Sequence, residues 1–248
     1  MREMRLPAFE TAIVVGASSG IGEALVRKLA TEGTKVAALA RRESELQTLA
    51  KSFEGRVFPY VHDVRNFSEA PVLFDRIKAD LGSVDLLVYN AGVMPRVEES
   101  EYNFEKNRQM VEVNLIGAMA WMDPAAAYME ARRSGTLCGI SSVAGDRGRR
   151  GNPGYHASKA GFTTYLESLR NRLTHRGVRV VTVKPGPVKT AMTDGLKMPL
   201  MISAEECADG VLSLAKMSTT EGYVPVAWGP IMFVIRSIPS VLFRRTSI

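Results

Sequence analysis

Apolar residues in this chain fall into short continuous runs separated by longer stretches in which they recur every three or four positions. The runs lie near 11–15, 35–39, 57–61, 84–88, 135–140, 178–184 and 222–227. They are rich in Val, Ile, Leu and Ala and are bounded by Gly, Asp, Asn or Pro, which is the pattern of buried strands. The stretches 20–32, 43–52, 68–80, 103–130, 155–175 and 204–217 carry helical spacing. No repeat, low-complexity segment or shift in composition interrupts the alternation. It therefore predicts one α/β domain over residues 1–248, a doubly wound parallel sheet of about seven strands with helices on both faces. In such sheets ligands sit outside the carboxyl ends of the strands, so chemistry is to be sought in the residues that follow each run.

After the first run comes Gly16-Ala17-Ser18-Ser19-Gly20-Ile21-Gly22. Glycines allow backbone conformations and close approaches that other residues forbid. The helix expected beyond them offers free amide hydrogens and the positive end of its dipole to an anion such as a pyrophosphate. After the second run stands Arg41-Arg42, where an enzyme for NAD commonly has an acid to bond the ribose hydroxyls. A guanidinium there clamps a 2′-phosphate that an acid would repel, and Ser18 adds a hydroxyl, so NADP(H) is the expected cofactor. After the fifth run comes Ser141-Ser142, and further on Tyr155 and Lys159 lie four positions apart on one helix face. A free phenol has a pKa near ~10, and a fixed cation beneath it brings that value towards neutrality. Tyr155, Lys159 and a serine hydroxyl thus read as an acid/base centre for a carbonyl or an alcohol.

These motifs together resemble the short-chain dehydrogenase/reductase family, and the resemblance covers nearly the whole chain. Asn90-Ala91-Gly92 matches the family's structural segment after its fourth strand, and Asn114 in Glu112-Val113-Asn114-Leu115 matches its catalytic asparagine. Asp63-Val64 fits the adenine-contacting pair. Pro185-Gly186-Pro187-Val188-Lys189-Thr190 fits the segment that closes over the nicotinamide. The resemblance implies a Rossmann-like sheet and a hydride-transferring oxidoreductase, with Tyr155 as proton donor and Ser142 polarising the carbonyl. Lys159 would tune the phenol and hold the nicotinamide ribose, and Asn114 would position a proton-relaying water. It also implies a homodimer or homotetramer. Two positions depart from the family pattern: Val15 stands for a threonine and Tyr89 for an asparagine. Both are read as changes in packing, an apolar substitute for a polar tie between two strand ends.

Bulk properties fit a cytoplasmic enzyme of ordinary globular composition. Cys138 and Cys207 fall in an expected strand and an expected helix, without a Cys-x-x-Cys or a secretory pattern, and read as reduced core residues. The three histidines are scattered and lack metal-ligand spacing, so no metal is expected, and His156 projects away from Tyr155's face. The net charge of +6 comes without a platform of base-stacking aromatics and does not call for nucleic acid. The long connection 186–203 reads as a substrate lid. Its Met192, Leu196, Met198, Leu200 and Met201 either point to an apolar ketone, aldehyde, steroid or acyl group or are ordinary lid packing. Arg147, Arg149 and Arg150 follow the candidate serine and are either a solvated loop or a site for a carboxylate, a phosphate or an acidic carrier. The tail 225–248 is strongly apolar but broken by Pro230, Arg236 and Pro239. That is too short for a span, and packing over the pocket or into a subunit interface is favoured over weak contact with a membrane surface. Within the oxidoreductase class a 3-oxoacyl (carrier-linked) reductase is the main alternative. Outside it stands a non-catalytic NADP(H)-binding sensor, which would need no acid.

Overall fold

In the computed structural model, which describes residues 9–195 and 198–246, seven strands form one sheet in the order β3-β2-β1-β4-β5-β6-β7, and every neighbouring pair is parallel. The strands are β1 (Thr11–Val15), β2 (Lys35–Ala40), β3 (Val57–Val61), β4 (Leu86–Tyr89), β5 (Thr136–Ile140), β6 (Arg179–Pro185) and β7 (Glu221–Val224). β1 is buried over its full length, and its side chains alternate between two apolar layers. Ala12 and Val14 join Leu25, Leu29, Leu46, Leu49, Val211 and Leu212 on one face. That layer comes from helices α1 (Gly20–Thr31), α2 (Glu43–Ser52) and α7 (Ala204–Lys216). Ile13 and Val15 join Phe74, Ile77, Trp121, Met122, Phe162 and Leu166 on the other. Those residues belong to α3 (Ala70–Leu81), α5 (Gly117–Arg132) and α6 (Pro153–Leu173). This is the doubly wound, Rossmann-like architecture expected from the alternation of strands and helices.

Two elements differ from expectation. The stretch 103–130 is not one regular helix: α4 (Phe104–Val111) passes through a π-helical turn, Glu112–Ile116, into α5. Within this turn the Val113 carbonyl accepts from the hydroxyl of Tyr89, at the end of β4, at 2.6 Å. Gly117 lies where a Cβ would stand 2.7 Å from that hydroxyl. The last strand stops at Val224, ahead of Pro225, and the tail folds into α8 (Trp228–Ser237) and α9 (Ser240–Phe243). Trp228, Met232 and Ile235 of α8 pack on Val143 in a small third cluster, so this helix covers the carboxyl edge of the sheet. No described helix is long and apolar enough to cross a membrane.

Candidate active site

The strand ends β1, β2, β4, β5 and β6 surround one cavity of about 440 Å³. At its nucleotide end the turn after β1 is fixed by the amides of Gly16 and Ala17, which donate to the Leu39 carbonyl at 2.8 and 2.9 Å. Gly16 has φ +90°, and a Cβ there would stand 2.6 Å from the Ala91 nitrogen. Only glycine lets this turn press so closely on Asn90-Ala91-Gly92. Asn90 completes the joint by donating from Nδ2 to the Gly16 carbonyl at 3.0 Å. Gly22 sits behind the turn, against Gly16 and Asn90, and does not line the cavity.

Helix α1 begins at Gly20, and its N-cap residue Ser19 makes no capping hydrogen bond. The Ser19 hydroxyl is instead held by Arg42, whose Nη2 donates to Ser19 Oγ at 2.6 Å and to Ser18 Oγ at 2.9 Å. The first amides of α1 are therefore left without a side-chain acceptor at the cavity wall, beside a guanidinium and two hydroxyls. That donor set fits a phosphate-bearing ligand. Arg41 also lines the cavity, with Nη1 3.9 Å from Asp63 Oδ2. Asp63 is gripped more closely by Arg65, at 2.7 Å, and this bond holds its carboxyl below the usual range. Val64 and Ile21 complete this end.

At the opposite end β5 delivers two serines with different fates. The Ser141 hydroxyl donates to the Lys159 carbonyl at 3.1 Å and pairs with Thr163 Oγ1 at 2.7 Å, stapling β5 to α6. Ser142 caps the short turn Val143–Gly145, accepting from the Ala144 amide at 3.1 Å, and lies beside the phenol of Tyr155. Burial pushes the Tyr155 phenol above its ordinary pKa, and the Ser142 hydroxyl draws it back in part. The Lys159 ammonium is buried and pushed down to about 8 for the same reason. Its hydrogen bond runs to the Ile140 carbonyl at 2.8 Å, and it stands 5.9 Å from the centre of the Tyr155 ring. The two groups share a helix face as the spacing requires. The ammonium, however, is tethered to the end of β5 and not bonded to the phenol.

Asn114 is wholly buried in the π-turn and does not reach the cavity wall. Its Oδ1 accepts from the Val93 amide at 2.8 Å, and its Nδ2 donates to the Val93 carbonyl and to Ser158 Oγ, each at 3.0 Å. It thus clamps the segment after Asn90-Ala91-Gly92 to the helix that carries Tyr155. His156 pairs Nδ1 with the Ala144 carbonyl at 2.7 Å and lines the wall as well. Pro185, Gly186, Val188 and Thr190 line the cavity beneath a loop whose base is closed by the Val188–Ile202 bridge. Met192 and Met198 face the cavity, Leu200 and Met201 do not, and Leu196 lies outside the described residues. Sequence reading missed Trp228, Met94 and Asn152, which also line the wall. Trp228 packs so tightly on Gly186 that a Cβ there would overlap its indole. The apolar density of the tail was the only signal for it.

The family model for short chain dehydrogenases matches residues 10–199. An uncharacterized oxidoreductase of Myxococcus xanthus is 37% identical over 210 residues, covering 82% of each chain. Another, of Mycobacterium tuberculosis, is 31% identical over 244 residues, covering 94% of this chain and 95% of its own. A short chain dehydrogenase of Burkholderia cenocepacia, solved in complex with NADP, superposes with a TM-score of 0.80 at 26% identity, over 93% of this chain and 98% of that one. This chain belongs to the short-chain dehydrogenase family of oxidoreductases.

Proposed function

We propose that this protein interconverts a carbonyl and an alcohol with NADP(H), using Tyr155 as the general acid/base. The observation that carries this reading is the convergence of Tyr155, Ser142 and the buried Lys159 at one end of a cavity whose other end is the glycine turn with Arg41 and Arg42. The Burkholderia relative, solved with NADP, supports the choice of cofactor. Of the residues lining this site, Arg42, Ser18, Ser19 and the start of α1 would hold the phosphates, Asp63 and Val64 the adenine, Asn90, Ala91 and Gly92 the ribose, and Pro185, Gly186, Val188 and Thr190 the nicotinamide.

The cofactor, when bound, supplies the hydride. The chain's own part is proton transfer and positioning. Burial keeps Tyr155 protonated, so it donates to the carbonyl oxygen during reduction, and Ser142 bonds that oxygen as charge develops on it. The Lys159 ammonium, on the same helix face, would favour the phenolate left after that donation, and Asn114 keeps the helix register that places both. The loop after β6 would act as a lid, and α8 as a wall of the same cavity. Tyr155→Phe provides the test. The variant is expected to bind NADPH with the parent's affinity and to reduce no ketone or aldehyde that the parent reduces. Equal turnover by both proteins would remove the phenol from the mechanism.

A further inference from the structure

Three arginines follow Ser142 closely, and the fold uses them differently. Arg147 closes the carboxyl end of α8, donating from Nη1 to the carbonyls of Ile235 and Ile238, and lies over the Phe243 ring with Cζ 3.9 Å from its centre. Arg150 donates to the Arg244 carbonyl at 3.3 Å at the surface. Arg149 is half-buried and lines the cavity, yet among the described residues it makes no hydrogen bond or ion pair to a carboxylate or carbonyl, and Asp146 acts on it only at longer range. Its Nε is buried without a partner, and its Nη2 meets only the sulfur of Met232, at 3.7 Å. The nearby Asp146 is already taken by Lys184 at 2.8 Å and by the Tyr223 hydroxyl at 2.6 Å. A guanidinium held this way bears a desolvation cost that a bound anion would offset. Around it the substrate end is apolar, with Met94, Val143, Met192, Met198 and Trp228.

We propose that Arg149 anchors a carboxylate on the substrate, so that the natural substrate is an oxo acid, or the matching hydroxy acid, with an apolar body. A carboxylate fits better than a phosphate. One guanidinium balances one negative charge and matches the planar geometry of a carboxylate. This inference rests on reading the cavity as the site of carbonyl reduction.

The test is calorimetric binding at pH 7 to protein saturated with NADP⁺, using octanoate, methyl octanoate and octyl phosphate as probes. Octanoate is expected to bind about 10- to 100-fold more tightly than its ester, the range of one charge-assisted contact. Arg149→Met should close that gap, and Arg149→Lys, which keeps the charge without the fork, should keep part of it. Equal affinity for acid and ester, no octanoate binding, tighter binding of octyl phosphate, or a gap that survives in Arg149→Met would each overturn the assignment. Because no turnover is measured, failure of the reductase reading shows separately, as inactivity of the parent on every carbonyl with NADPH.

Discussion

Replacing Arg42 by alanine tests the cofactor reading most directly. The Arg42 guanidinium bridges Ser18 and Ser19 at 2.9 and 2.6 Å, so its position is fixed before any ligand arrives. Its side chain is 51% exposed, which places the interaction between two limits. A unit pair 4 Å apart is worth about 1 kcal/mol in water and about 4 kcal/mol at an effective dielectric constant of 20. A charge-assisted hydrogen bond to a 2′-phosphate falls between them, at about 1.5–3 kcal/mol, or roughly 10- to 100-fold in Kd. The substitution also frees Ser19 to cap α1, but that change affects NADPH and NADH alike and cancels in their ratio. Titrating the fluorescence of both nucleotides should show the NADPH preference falling by about 10- to 100-fold. The loss should shrink in 1 M salt, where screening acts within ~3 Å. Arg41→Ala should move the ratio less, because Arg42 is the guanidinium bonded to the two serines of the glycine turn. An unchanged ratio in the Arg41/Arg42 double variant would refute the argument.

Two further outcomes follow from buried lysines. Lys184 is 3% exposed, and although burial alone would lower its pKa, Asp146 and Glu221 hold it above the ordinary value. Lys184→Met leaves the buried Asp146 carboxylate with only the Tyr223 hydroxyl, and should cost about 3–5 kcal/mol in thermal unfolding. Adding Asp146→Asn should recover part of the loss, and independent effects would refute the pairing. Lys159 behaves oppositely, because its folded pKa of about 8 lies below the unfolded value of about 10.4. The unfolded chain binds more protons between these values, so this group's contribution to stability is complete above the window and is lost as pH falls through it. Cofactor-free parent protein should therefore gain about 2 kcal/mol relative to Lys159→Met between pH 7.5 and 9.5 in denaturant unfolding. Parallel curves would show that Lys159 is not desolvated.

Strand and helix periodicity carried most of the fold into view, because the inner strands are buried on both faces and read as continuous apolar runs. The site was legible for a related reason: a parallel sheet brings its carboxyl ends to one edge, so residues after separate runs converge. What stayed hidden depends on single long-range bonds. The expectation for Val15 and Tyr89 was an apolar substitute for a polar tie. They are neighbours in the register of β1 and β4 and share one core layer, as expected. The Tyr89 hydroxyl nevertheless keeps a polar link, to Val113 in the π-turn. No spacing rule signals that bond, nor the π-turn it accompanies. The tail was legible as apolar, with packing over the pocket as one of two favoured readings, and the structure shows that packing through Trp228. Its docking depends on Arg147, whose carbonyl partners on α8 lie far away in sequence.

The segment from Ser142 to Arg147 joins the two halves of the site mechanically. At one end it presents the hydroxyl beside Tyr155. In its middle Asp146 is held by Lys184 from β6 and by Tyr223 from β7. At its other end Arg147 grips the carboxyl terminus of α8, and α8 in turn sets Trp228 against Gly186. A shift of α8 to admit a different substrate body is therefore transmitted through Arg147 and Asp146 to the loop that holds Ser142. A loop at the mouth would have been free to vary without disturbing the chemistry. On the mechanism proposed, the wall that would select the substrate and the hydroxyl that would polarise its carbonyl are positioned by the same few contacts. Substitutions in α8 are on that account coupled to kcat as well as to KM, since proton transfer tolerates little displacement of the bonded oxygen.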